Sequence, residues 1–142
     1  MDRKRLQKIA KERLKDAKAL LGRKRWSGAY YLCGYAVECA LKARLLRYLG
    51  ESEAVFGDRD YLKELAKCWT HDLVKLVELG GLKTELQAAC GANVVLNDFW
   101  LETKAWTETS RYEERTEAEA RVLYEAVSHN PDGVFRWIQS RW

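Results

Sequence analysis

Proline occurs once in the 142 residues, at Pro131, and glycine only nine times. So little punctuation argues against many short strands joined by tight turns and favours long helices. Histidine is scarcer still, at His71 and His129 alone. The four cysteines, Cys33, Cys39, Cys68 and Cys90, form no CxxC pair. Cys68 and His71 stand three apart, but no second ligand pair follows at zinc spacing. A reduced, metal-free, cytoplasmic protein is the expectation. The first 25 residues are charged throughout and lack an apolar segment, which excludes a secretory signal there. Phosphate-cradling glycine loops, nucleophile elbows, HExxH pairs and EF-hand loops are all missing, so no cofactor is expected.

What is present is apolar and aromatic. Hydrophobic residues make up 47% of the chain, with six Trp and seven Tyr, which excludes a disordered polymer and allows one domain over residues 1–142 with a real core. The net charge of +4 hides an asymmetry. Residues 1–49 carry fourteen Lys/Arg against four Asp/Glu, and residues 50–142 carry eleven against seventeen. A basic first half points to an anionic partner, or to a solvated outer helix face.

The stretch from Trp26 to Leu49 dominates the chain. It holds no proline, and large apolar side chains fall on nearly every face of a helix drawn through it. Such a helix is buried on several sides. Glu38, Lys42, Arg44 and Arg47 interrupt it too often for a bilayer span, which needs roughly 20 mostly apolar residues. Before it, residues 3–21 place Leu6, Ile9, Ala10, Leu14, Ala17, Leu20 and Leu21 at helical spacing, and Gly22 is expected to end that helix. Arg23-Lys24-Arg25 then makes a tight basic turn, so the two helices lie antiparallel.

Beyond Gly50 the pattern predicts a short helix over Tyr61 to Cys68, then one near Trp69–Val77 capped by Thr70 or Asp72 and stopped by Gly80-Gly81. Leu82, Leu86, Ala89 and Cys90 mark the next, ended by Gly91. Val95, Leu96, Phe99, Trp100 and Trp106 define another through about residue 106. Thr107 to Arg115 reads as a loop, and Thr116 with Glu119 as a capping box. Asn130-Pro131 reads as a cap followed by proline in the first turn of a last helix, with Val134, Trp137, Ile138 and Trp142 inward. The expected class is all-α, a compact up-and-down bundle of about five to seven helices.

Candidate site residues are few. Glu38 and Lys42 stand four apart in the order that favours a helical ion pair, worth about 0.3–0.5 kcal/mol if exposed. Their apolar flanks imply cover, so the pair is either a buried brace or the edge of a cleft or subunit interface. His71, at a helix start beside Asp72, can serve as acid, base or anion contact, or satisfy a backbone group there. His129, near a helix end, reads as structural. Arg111-Tyr112 offers a planar fork for phosphate or carboxylate with a stacking ring beside it; an ion pair with Glu113, Glu114 or the Glu38 region is the alternative.

Several segments together resemble the HEPN family (higher eukaryotes and prokaryotes nucleotide-binding). They are the run Arg25 to Ala43 (RWSGAYYLCGYAVECALKA), His71-Asp72-Leu73, the Trp106 to Tyr112 segment, and Gly133-Val134 through Trp137-Ile138. The resemblance implies a helical bundle, a homodimer, and a toxin–antitoxin-like pairing with a minimal nucleotidyltransferase. It also implies a ribonuclease motif: Arg, a polar residue, then His four to six residues beyond the Arg. Arg111 falls at the Arg position, but Tyr112 replaces the polar residue and Thr116, Glu117 and Ala118 stand where His belongs. The motif is degraded. The expectation is therefore a binding module for RNA, a nucleotide or a protein partner, with Arg111, Tyr112, His71, Glu38 and Lys42 in one cleft. A ribonuclease using Arg111 with His71, and a purely structural partner subunit, are the alternatives.

Overall fold

A computed structural model describes residues 2–51 and 70–142. Among these it contains seven α-helices and no strand. They are α1 (Arg3–Gly22), α2 (Trp26–Glu51), α3 (Leu73–Leu79), α4 (Lys83–Ala92), α5 (Val94–Lys104), α6 (Glu117–Ser128) and α7 (Val134–Gln139). A 3-10 turn, Glu108–Tyr112, links α5 to α6. The all-α expectation holds. The short helix expected over Tyr61 to Cys68 lies outside the described residues.

α2 is the axis of the molecule, with α1, α3, α6, α7 and the 3-10 turn packed against it. Ala36, Val37, Ala40, Leu41, Ala43 and Leu45 have no exposed surface, as an all-round apolar helix requires. It runs past Gly50 to Glu51, so that glycine does not end it. α1 buries one stripe, Leu6, Ala10, Ala17 and Leu21, and leaves its lysines outside. Asp2 caps it by accepting from the Arg5 amide at 2.8 Å.

α1 ends at Gly22 as expected, and the reversal falls two residues later. Arg25 N–H donates to the Leu20 carbonyl (2.9 Å) and Lys24 N–H to that of Leu21 (3.1 Å), with Lys24 at φ 58°. This is a Schellman turn with lysine in the left-handed position that glycine usually fills. The same hydrogen-bond pattern ends α3, where Gly81 holds that position at φ 71°.

Asp72 caps α3 through the Lys75 amide at 3.2 Å, and Asn93 caps α5 through the amides of Val95 and Leu96. α4 continues through Gly91 to Ala92. α5 ends at Lys104, so Trp106 is not helical. Its amide donates to the Thr103 carbonyl (3.1 Å), and its ring lies on Gly34 of α2. A Cβ added at Gly34 would meet that ring at 2.3 Å. The Thr116/Glu119 capping box is present at the start of α6. Pro131 does not open α7: the Asn130–Pro131 bond is cis and α7 begins at Val134, capped by Gly133. His129 holds the turn before it, accepting from the Asp132 amide at Nδ1 (3.2 Å) and from the Gly133 amide at its carbonyl (2.8 Å). Val134, Phe135 and Ile138 are buried there, while Trp137 and Trp142 are only partly covered.

Candidate functional site

The packing gathers the charged candidates on one side of α2. Tyr31, Tyr35, Glu38 and Lys42 recur at helical spacing and form one stripe on an otherwise apolar helix. Glu38 is 1% and Lys42 6% exposed, and Lys42 Nζ donates to Glu38 Oε1 at 2.7 Å. Both charges are desolvated, so removing either would uncover a buried charge at a cost. The same Oε1 lies 2.9 Å from His71 Nδ1, while Glu38 Oε2 is buried with no hydrogen-bond partner among the described residues.

His71 is thus held by Glu38, not by Asp72, whose carboxylate is spent on the α3 cap. Among the described residues its ring meets two carboxylates and no backbone group. Its other nitrogen, Nε2, faces Glu108 Oε2 at 3.0 Å. The ring donates to both carboxylates at once only when both nitrogens carry a proton. Glu108, in turn, lies 3.7 Å from Arg111 Nη2. A continuous series therefore runs Lys42, Glu38, His71, Glu108, Arg111, from the core to the surface.

At its outer end Arg111 is flanked by aromatic rings. Its guanidinium carbon lies 5.5 Å from the Tyr31 ring centre and 5.6 Å from that of Tyr112, within cation–π range. Tyr31 stacks on Tyr35 and on Trp106, each at 6.0 Å between ring centres. Trp106 thereby links the Gly34 notch to the 3-10 turn that carries Glu108 and Arg111. Tyr112 is 82% exposed. The alternative ion pairs of Arg111 with Glu113 or Glu114 are not formed; Glu113 binds Arg115, and Arg111 meets Glu108.

Beside His71 and Glu108 opens a cavity of about 540 Å³, lined also by Lys104, Thr107, Thr109 and Trp106. A larger one, about 610 Å³ between α5 and α6, touches none of these groups. Burial pushes the Tyr35 hydroxyl up to about 12 and the Cys39 thiol up to about 11, so neither is an acid or base near neutrality. Among the described residues no three His, Cys, Asp or Glu side chains converge as a metal ion requires, and no helix is long and apolar enough to cross a membrane.

Glu108, Tyr31 and Trp106 were not among the sequence candidates. Two signals were there to be read: the Tyr31-Tyr35-Glu38-Lys42 stripe, and a glutamate three residues before Arg111, one helical turn away.

The architecture and this cation–carboxylate series on an aromatic support define a helical bundle with a polar seam along its central helix. Residues 4–68 match the family model described as HEPN domain, the family that the Arg25 to Ala43 run resembles. That family is concerned in general with nucleotides and RNA. No curated protein and no solved structure gives a significant match.

Proposed function

We propose that this chain is a HEPN-type binding module for RNA or a nucleotide, with the ligand held around Arg111. The observation that carries this reading is the setting of that side chain. Arg111 is 42% exposed, has one long ion pair among the described residues, and is flanked by two tyrosine rings, one of them almost wholly in solvent. A guanidinium in that state can give two parallel hydrogen bonds to a phosphate. An exposed tyrosine face stacks on a base, worth about 1–3 kcal/mol per base. The cavity beside His71 lies within the range of about 300–1,000 Å³ that small ligands occupy, and the basic first half adds long-range attraction for an anion. The test is Arg111→Ala, measured by anisotropy with labelled single-stranded RNA and with labelled nucleotides. A loss of about tenfold or more is expected for the removal of one charge-assisted contact. Unchanged affinity for all of them would remove Arg111 from the site and leave the purely structural subunit as the better reading.

A second reading, metal-independent ribonuclease, is favoured by one specific observation. Glu38 fixes Nδ1 of His71 and turns Nε2 toward the carboxylate that also meets Arg111. An oriented imidazole beside a phosphate-binding guanidinium is the minimum for acid–base cleavage of RNA. Under this reading the purified protein cuts RNA in chelator and His71→Asn abolishes the cut; RNA that stays intact with excess protein rejects it. The family resemblance further supports a homodimer and a nucleotidyltransferase-type partner in a toxin–antitoxin-like pair, to be checked by sedimentation and by co-purification from the native cell.

A further inference from the structure

We propose that Glu108 is a built-in anion occupying the phosphate position of this site, so that a ligand binds by exchanging a phosphodiester for a carboxylate. This rests on the reading of Arg111 as a ligand contact. A single oxygen, Glu108 Oε2, meets both His71 Nε2 (3.0 Å) and Arg111 Nη2 (3.7 Å). A non-bridging phosphate oxygen is the same kind of acceptor, and one placed there would take both donors from two different segments of the chain.

Glu38 and Glu108 flank the same imidazole but differ in their freedom. Glu38 is enclosed and tied to Lys42 as well as to His71. Glu108 is 41% exposed and lies at the first position of a 3-10 turn. The hydrogen bonds of that turn use the Thr107 and Ser110 carbonyls, so the Glu108 side chain can rotate outward without breaking them. The site therefore has one captive carboxylate and one releasable one. Among the described residues, Lys42, His71 and Arg111 face two carboxylates with Glu108 in place and one with it turned out. Asp72, the nearby acid on the cavity wall, is held at the α3 cap, and Lys104 on the same wall adds a further cation.

The exchange sets which anions bind. Glu108 is tethered, so it competes at the high effective concentration of an intramolecular group. A bare anion with only the same two contacts cannot displace it well. A phosphodiester that also stacks a base on Tyr112 can. The ligand class is thus single-stranded RNA, and inorganic phosphate is excluded.

The experiment is fluorescence anisotropy with a short labelled single-stranded oligoribonucleotide. It compares the wild type with Glu108→Gln, Glu108→Ala, Arg111→Ala, Glu108→Gln/Arg111→Ala and the nearby surface control Glu114→Gln, with circular dichroism to verify each fold. Both Glu108 variants should bind about five- to tenfold tighter, as removal of a like charge from an anion site predicts. Inorganic phosphate should compete with the oligonucleotide only in those variants. Glu114→Gln should change affinity less than about twofold, as expected for a screened rim charge. The double variant should bind no tighter than Arg111→Ala. If Arg111→Ala loses binding but the Glu108 variants equal or fall below the wild type, or Glu114→Gln gains as much, the exchange is wrong and the site stands. If Arg111→Ala binds like the wild type, site and exchange fall together.

Discussion

Arg111 and Arg115 lie four residues apart on the same connection between α5 and α6, and their surroundings assign them opposite roles. Arg115 is 23% exposed and holds the fold through both terminal nitrogens, although its Nε has no hydrogen-bond partner among the described residues. Its Nη1 donates to Glu119 at 3.0 Å, its Nη2 pairs with Glu113, its amide donates to Ser27 of α2 (2.9 Å), and its guanidinium lies 4.3 Å from the Tyr30 ring centre. The hydrogen bond that it donates to Glu119 raises the Arg115 pKa above the ordinary guanidinium value. Among the described residues Arg111 has one ion pair at 3.7 Å, a 3.4 Å hydrogen bond from Nε to the Glu108 carbonyl, and two aromatic neighbours of which Tyr112 is open. The same side chain is structural where carboxylates surround it and available where only one approaches it.

The comparison breaks most completely through the support beneath Arg111. Gly34→Ala forces the Trp106 ring away and with it the Tyr31 stack and the 3-10 turn. Overpacking of this kind costs about 1–3 kcal/mol, although alanine is the better helix former. A lower melting temperature with weakened RNA binding is expected; an unchanged melt means that Trp106 yields without cost. Next in size is Arg115→Ala, which removes the guanidinium shared by Glu113 and Glu119 while the amide bond to Ser27 remains. It should lose about 1–2 kcal/mol in denaturant unfolding. Arg111→Ala, by contrast, should stay within about 0.5 kcal/mol of the wild type, as ordinary surface changes do, while losing ligand. Equal stability losses in the two variants would erase the distinction.

The smallest effect is one of pH. The hydrogen bond from Arg115, then those from the Thr116 amide and hydroxyl, hold the Glu119 carboxyl below its ordinary value of 4.5. A lowered folded-state pKa contributes stability that is complete above the unfolded value and lost as pH falls through the folded one. Glu119→Gln should therefore be less stable than the wild type near neutrality, and the gap should close as the pH drops below about 4.5. A gap that persists in acid would mean that packing, not the charge on Glu119, holds the cap.

Local chemistry was legible in the sequence and long-range juxtaposition was not. α2 followed from its unbroken apolar surface, and the Asp72 cap and Thr116/Glu119 box from spacings of three residues. The Glu38/Lys42 pair followed from a spacing of four, and its burial from its flanks. Trp106 was placed on a helix because its spacing from Trp100 allowed it; only the approach of Gly34, seventy-two residues earlier, explains where the ring goes. The spacing of Glu108 from Arg111 was readable, but its meeting with His71, which another part of the chain delivers, was not. Lys24 shows the limit of turn rules: Gly22 carried the signal, and lysine took the left-handed position.

Trp106 also gives the protein an optical property. Its ring is 2% exposed and its indole N–H has no hydrogen-bond partner among the described residues, whereas Trp26, Trp100, Trp137 and Trp142 all reach solvent. With no water to relax around its excited state, it should emit furthest to the blue of these five. Because its ring rests between Gly34 and Tyr31, its emission is a native reporter of whether the platform under Arg111 is seated.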